Sequence, residues 1–193
     1  MVRDIIRSKI ALIGDDKIGK SKLLSTFING GSVEEGQWNN NYSMTIEMDL
    51  QIVTINIPDT NYSVELQIFD FGGNHLFNID NDIRRKYFQL TDHVIAAYNI
   101  SNRMTFDSLK SIWLKQYKTS HNTSKNKYNG VILGLQSDLA KYTVVNPKEA
   151  IKLAQEYNLV AMGCSSKSNQ NIDTPFNYIA QQVYTQYIHT EQK

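Results

Sequence analysis

Apolar and polar positions alternate in blocks along this chain. Apolar runs at Ile5 to Ile13, Ile46 to Ile57, Val64 to Phe69, Val94 to Ile100, Val131 to Leu135 and Leu159 to Gly163 read as strands. Between most of them the apolar residues recur at three- and four-residue spacing. That spacing predicts helices near Lys20 to Asn29, Asp80 to Gln89, Arg103 to Tyr117, Pro147 to Tyr157 and Thr174 to Tyr187. Asn146 followed by Pro147 is a helix start, with a capping side chain before a proline at the first helical position. Strands alternating with helices predict an α/β fold, a six-stranded sheet with helices on both faces. Only the second and third runs follow each other closely, across Pro58-Asp59-Thr60-Asn61, which reads as a hairpin turn. The sheet is therefore expected to be mixed, with one antiparallel strand.

The chain has 193 residues, 41% of them hydrophobic, which fits one domain over 1–193 with no second core required. Lys and Arg number 20 against 19 acidic residues, a formal charge of +1. No global basic field points to nucleic acid or to an anionic membrane. No run approaches a membrane span, and the amino terminus has no long apolar segment, so a soluble, cytoplasmic chain is expected. The tail from Tyr187 to Lys193 holds no cysteine, so no direct lipid anchor is expected and any peripheral membrane association would run through a partner. The one cysteine, Cys164, lies in the last apolar run and is expected to pack in the core. Asn29 to Tyr42 and Lys118 to Asn129 read as surface loops.

Chemistry enters at Gly14-Asp15-Asp16-Lys17-Ile18-Gly19-Lys20-Ser21, a G-x-x-x-x-G-K-S phosphate loop between a strand-like run and an amphipathic helix. Its glycines let the backbone wrap a phosphate, successive N–H groups point inward, and the following helix aims its positive end at the anion. Lys20 is expected to neutralise the β and γ phosphates, and Ser21 to offer its hydroxyl to Mg²⁺. Chance produces this pattern in a chain of this length with a probability on the order of one percent or less. Asp70-Phe71-Gly72-Gly73 ends the third strand, where a nucleotide site needs a carboxylate for the metal and a glycine for the γ phosphate. Adjacent first and third strands would bring both loops to one sheet edge.

With these motifs in this order, the chain resembles the Ras superfamily of small GTPases, with Rab-like features, over nearly its whole length. Thr45-Ile46-Glu47 resembles the first switch, with Trp38 where an aromatic residue stacks on guanine and Tyr42 where a tyrosine covers the phosphates. Asp70 to Asn74 resembles the second switch, with Phe77 where Rabs keep a phenylalanine. Leu135-Gln136-Ser137-Asp138 aligns with the N-K-x-D base motif, and Ser165-Ser166-Lys167 with the S-A-K loop. The resemblance implies GTP/GDP and Mg²⁺ as cofactors. It places nucleotide contacts at Asp16, Lys17, Ile18, Gly19, Lys20, Ser21, Lys22, Trp38, Thr45, Gly73, Asp138, Leu139, Ser165, Ser166 and Lys167. It places the metal at Ser21, Thr45 and Asp70, and catalytic roles at Lys20, Gly73 and Asn74. Effectors and regulators would meet the neighbourhoods of Thr45 and Asp70 to His75, and the chain would act as a monomeric switch.

Three departures bear on activity. Asp138 keeps the carboxylate that accepts from guanine N1 and N2. Leu135 replaces the asparagine that ties the base to the phosphate loop, and Gln136 replaces the lysine whose stem covers the base; one lost polar contact costs about 1 kcal/mol. Asn74 is one methylene shorter than the family's water-orienting glutamine, so intrinsic hydrolysis is expected at or below about 10⁻⁴ s⁻¹. The alternatives are a pseudo-GTPase binding module, favoured by Leu135, Gln136 and Asn74, and another phosphate-loop enzyme such as a kinase. His75 reads as a partner contact, and Arg84 and Arg85 as a solvated helix face rather than an internal arginine finger. Trp113 and Leu114 read as core, and Tyr178, Tyr184 and Tyr187 as packing or edge residues.

Overall fold

The computed structural model describes residues 3–30, 45, 48–73, 81–121 and 129–191. Six strands, β1 (Asp4–Ile13), β2 (Met48–Asn56), β3 (Tyr62–Phe71), β4 (His93–Asn99), β5 (Gly130–Leu135) and β6 (Val160–Gly163), form one sheet in the order β2-β3-β1-β4-β5-β6. Only β2 runs antiparallel to its neighbour. Its alternation of exposed and half-buried positions is that of an edge strand covered on one face, whereas β4 and β5 lie inside the sheet and are almost wholly buried. The β2–β3 hairpin closes with Ile57 N donating to Tyr62 O at 3.1 Å, and Asp59 takes a left-handed conformation, φ 57°.

Successive β1 residues point to opposite faces. Ile10 and Leu12 join Leu23 and Leu24 of α1 (Lys20–Ile28) and Phe176, Ile179 and Val183 of α6 (Thr174–Glu191). Ala11 and Ile13 join Phe88 of α2 (Asn81–Gln89), Leu114 of α4 (Leu114–Ser120) and Leu153 of α5 (Pro147–Glu156). The expected α5 start is present as a full capping box: Asn146 Oδ1 accepts from Lys148 N, and Glu149 Oε1 accepts from Asn146 N.

Two expectations need correction. The single helix expected from Arg103 to Tyr117 is α3 (Arg103–Ser108) and α4 joined by a π-helical turn, Leu109–Trp113, in which Leu114 N bonds to Leu109 O. The helical part also runs on to Ser120, into the segment expected to be a loop. One inserted residue leaves the apolar spacing on either side helical, so the turn has no separate signature in the pattern. A short 3-10 helix, Ser137–Tyr142, was likewise not expected from periodicity. Among the described residues no helix is long and apolar enough to cross a membrane.

Cys164 is buried as expected, and burial pushes its thiol up from 9.0 to about 12. The unfolded thiol ionises near pH 9 while the folded one stays neutral. This contribution is therefore whole below pH 9 and is lost as pH rises from 9 toward 12. At pH 10.5 it removes roughly 2 kcal/mol. Urea denaturation of the wild type and of Cys164→Ala at pH 8 and 10.5 checks this, with a smaller pH-dependent loss expected in the variant.

Candidate functional site

The parallel register delivers three loops to the same sheet edge. Leu12 is level with Asp70 on β3 and Ile95 on β4, and Asn99 of β4 is level with Leu135 of β5. At the end of β1 the chain turns at Gly14, φ 140°, where a Cβ would overlap the Ala97 carbonyl oxygen. Lys17, φ 58°, and Gly19, φ 103°, bend the loop into α1. Gly19 caps α1 with no side-chain hydrogen bond, and the positive end of the helix dipole faces the loop. Ile18 is fixed in the core, Asp16 is half-buried and Lys17 exposed. Lys20 is buried beneath the loop, its Nζ donating to the carbonyls of Gly14 and Asp15 at 2.9 Å each. Burial lowers its ammonium to about 8, against the opposing pull of Asp70, Asp15 and Asp16.

Three oxygen donors meet beside Lys20. Ser21 Oγ donates to Asp70 Oδ2 and lies 3.1 Å from Thr45 Oγ1. Asp70 Oδ1 is buried with no hydrogen-bond partner among the described residues, and burial raises the carboxyl's pKa despite Ser21 and Lys20. An unpaired buried carboxylate oxygen beside two hydroxyls fits a hard divalent cation such as Mg²⁺. Among the described residues no group of three or more His, Cys, Asp or Glu could hold a metal. Mg²⁺ needs none, because one or two carboxylates and substrate phosphates complete its shell. Gly73 packs directly on the loop: a Cβ there would overlap the backbone of Asp15 and Asp16.

Beyond α1's first turn lies a cavity of about 280 Å³ lined by Ile18, Gly19, Lys22, Leu135, Gln136, Asp138, Leu139, Ser166 and Lys167. The loop after β6 braces its acidic wall. Ser165, 1 % exposed, donates through Oγ to Asp138 Oδ1 at 2.6 Å, and Ser137 N donates to Cys164 O at 3.1 Å. The arrangement presents a fixed carboxylate to a concave, partly apolar slot adjoining an anion-receptive loop.

Gln136 supplies a tie that was expected to be lost with the asparagine that Leu135 replaces. In a left-handed conformation, φ 64°, it donates through Nε2 to Ile18 O at 3.3 Å and accepts at Oε1 from Asn99 Nδ2 at 3.1 Å. The glutamine itself pins the base-side strand to the phosphate loop, while Leu135 is core. Arg84 is also corrected. It is 3 % exposed, not solvated, and its Cζ sits 5.2 Å from the Trp113 ring centroid. Trp113 is core as expected, yet its Nε1 donates to Asp15 Oδ1 at 2.7 Å, a contact the helical pattern did not announce. Trp38, Tyr42, Asn74, His75 and Phe77 lie outside the described residues.

A phosphate loop on the carboxyl edge of a parallel sheet, with a metal-suited carboxylate on the adjacent strand and an acidic slot across α1, defines a phosphate-loop nucleotide protein. The Ras family model matches residues 9–185. The intraflagellar transport protein 27 homolog of Bos taurus is 31% identical over 182 residues, covering 94% of this chain and 92% of that protein. Ras-related protein Rab-1 of Theileria parva is 31% identical over 185 residues, 93% of this chain and 76% of its own length. Ras-related protein Rab-13 of Canis lupus familiaris is 28% identical over 175 residues, with 91% and 79% coverage. The chain belongs to the Ras family and is a divergent Rab-like small GTPase, a GTP/GDP-dependent molecular switch.

Proposed function

We propose that this domain binds GTP or GDP with Mg²⁺ and hydrolyses GTP slowly, recruiting effectors when the γ phosphate orders the Thr45 and Gly73 regions. The observation that supports this most is the meeting of the phosphate loop, Asp70 and the Asp138 slot on one sheet edge. In this reading Gly14 to Lys22 wrap the phosphates and Lys20 Nζ leaves its two carbonyl partners for phosphate oxygens. Ser21, Thr45 and Asp70 hold the cation, which supplies charge neutralisation at the phosphates. Asp138, with Trp38, Leu139, Ser166 and Lys167, holds the guanine, and Ser165 fixes Asp138.

Hydrolysis at or below about 10⁻⁴ s⁻¹ follows from the short amide of Asn74. The chain acts as a monomer in the cytoplasm, meeting regulators at the same two regions. Two measurements test this. Denatured protein, freshly purified in Mg²⁺, should release close to one guanine nucleotide per chain, and single-turnover hydrolysis should be no faster than the stated rate. An empty site would favour the scaffold alternative, and faster turnover would contradict the role given to Asn74. Ser165→Ala should weaken GDP binding by about tenfold, one charge-assisted hydrogen bond, read by displacement of a fluorescent GDP.

A further inference from the structure

Arg84 is a buried guanidinium with little to satisfy it. Its Nη1 reaches Gln116 Oε1 at only 3.4 Å, its Nε has no hydrogen-bond partner among the described residues, and no acidic side chain among them forms an ion pair with it. The α2 helix does not need it for packing, since Phe88 already anchors that helix, edge-on to both Phe71 and Tyr117. A buried charge without a counter-ion is unfavourable, so the guanidinium's neighbours must account for it. They form a series. The guanidinium lies over the Trp113 ring, and the far edge of that indole donates to the Asp15 carboxylate at 2.7 Å. A cation on the ring face makes the indole N–H a stronger donor, and an anion on the N–H enriches the ring, so the two contacts reinforce each other. The π-helical turn, Leu109–Trp113, ends at this tryptophan, and such turns are frequent at functional sites.

We propose that Arg84 and Trp113 are positioning residues that couple the seating of α2 to the phosphate loop through Asp15. This rests on the nucleotide-switch reading. The backbone of Asp15 abuts Gly73, so whatever holds the Asp15 side chain also steadies the loop against the γ-phosphate glycine. A nucleotide that shifts α2 seats or unseats Arg84 and so alters the grip of the loop. Linkage requires the reverse as well.

Dissociation rates of fluorescent GDP and of a fluorescent, non-hydrolysable GTP analogue, measured on the full chain in Mg²⁺, test the coupling. Arg84→Met and Trp113→Phe are each expected to change the ratio of the two rates by about fivefold or more. The double variant should change it no further than the larger single effect, and Arg84→Lys should stay near the wild type. A merely structural role would shift both rates together. Unchanged ratios, additive effects, or an Arg84→Lys indistinguishable from Arg84→Met would overturn the coupling alone. Should Arg84→Met not fold, the ratio in Trp113→Phe decides by the same criterion. A wild type that holds neither nucleotide contradicts the switch reading, and the coupling with it.

Discussion

Asp138→Asn is expected to lower affinity for GDP by about 100-fold or more and to raise affinity for xanthosine diphosphate. A carboxylate accepts from both the N1 and N2 donors of guanine, and hydrogen bonds to a charged group contribute about 1.5–3 kcal/mol each. An asparagine amide offers one acceptor and turns its NH₂ toward the exocyclic NH₂ of guanine. Xanthine carries a carbonyl at that position and accepts instead. Ser165 holds the native carboxylate at 2.6 Å in the wall of the cavity beside α1, where the proposed guanine would sit. Competition of each diphosphate against fluorescent GDP measures the exchange of preference. Unaltered GDP affinity in the variant would remove Asp138 from base recognition.

Gly73→Ala should be among the most damaging single-methyl changes in the site. The added Cβ would overlap the backbone of Asp15 and Asp16, which cannot swing aside as a side chain can. Either the phosphate loop or the residues after Gly73 must move. Overpacking of this kind destabilises by roughly 1–3 kcal/mol, and nucleotide affinity should fall with it because the displaced atoms form the phosphate cradle. Gly163→Ala is the control, since a Cβ there meets nothing nearer than Gly134 O at 3.7 Å. Urea denaturation and GDP titration of both variants give the comparison. Equal, small losses would mean that the loop yields freely.

The six strands were legible because they follow from local patterns, and the site edge followed once the first and third strands were taken as neighbours. Apolar runs bounded by turn residues gave all six strands, the short gap at Pro58 to Asn61 gave the one antiparallel pair, and the phosphate loop announced itself by spacing. What escaped depends on contacts distant in sequence. Gln136 reaches Ile18 across 118 positions and Trp113 reaches Asp15 across 98, and neither bond leaves a mark on local periodicity. Arg84 was read as solvated because a charged helix residue usually is. Its burial depends on an indole from another helix. The tie expected to be lost with the asparagine that Leu135 replaces is made instead by Gln136. Its left-handed backbone turns the amide between Asn99 and the loop, and that is a property of the fold rather than of the residue type.

The proposed function turns on a phosphate-binding loop paired with a carboxylate that selects guanine. Melting temperature of nucleotide-stripped protein in Mg²⁺ with GDP, GTP or ATP at one concentration tests both parts together. A ligand at 100 times its Kd stabilises by about 2.7 kcal/mol. GDP and GTP should each raise the melting temperature by several degrees and ATP should leave it nearly where it was. Equal stabilisation by ATP, or none by any of the three, would contradict it.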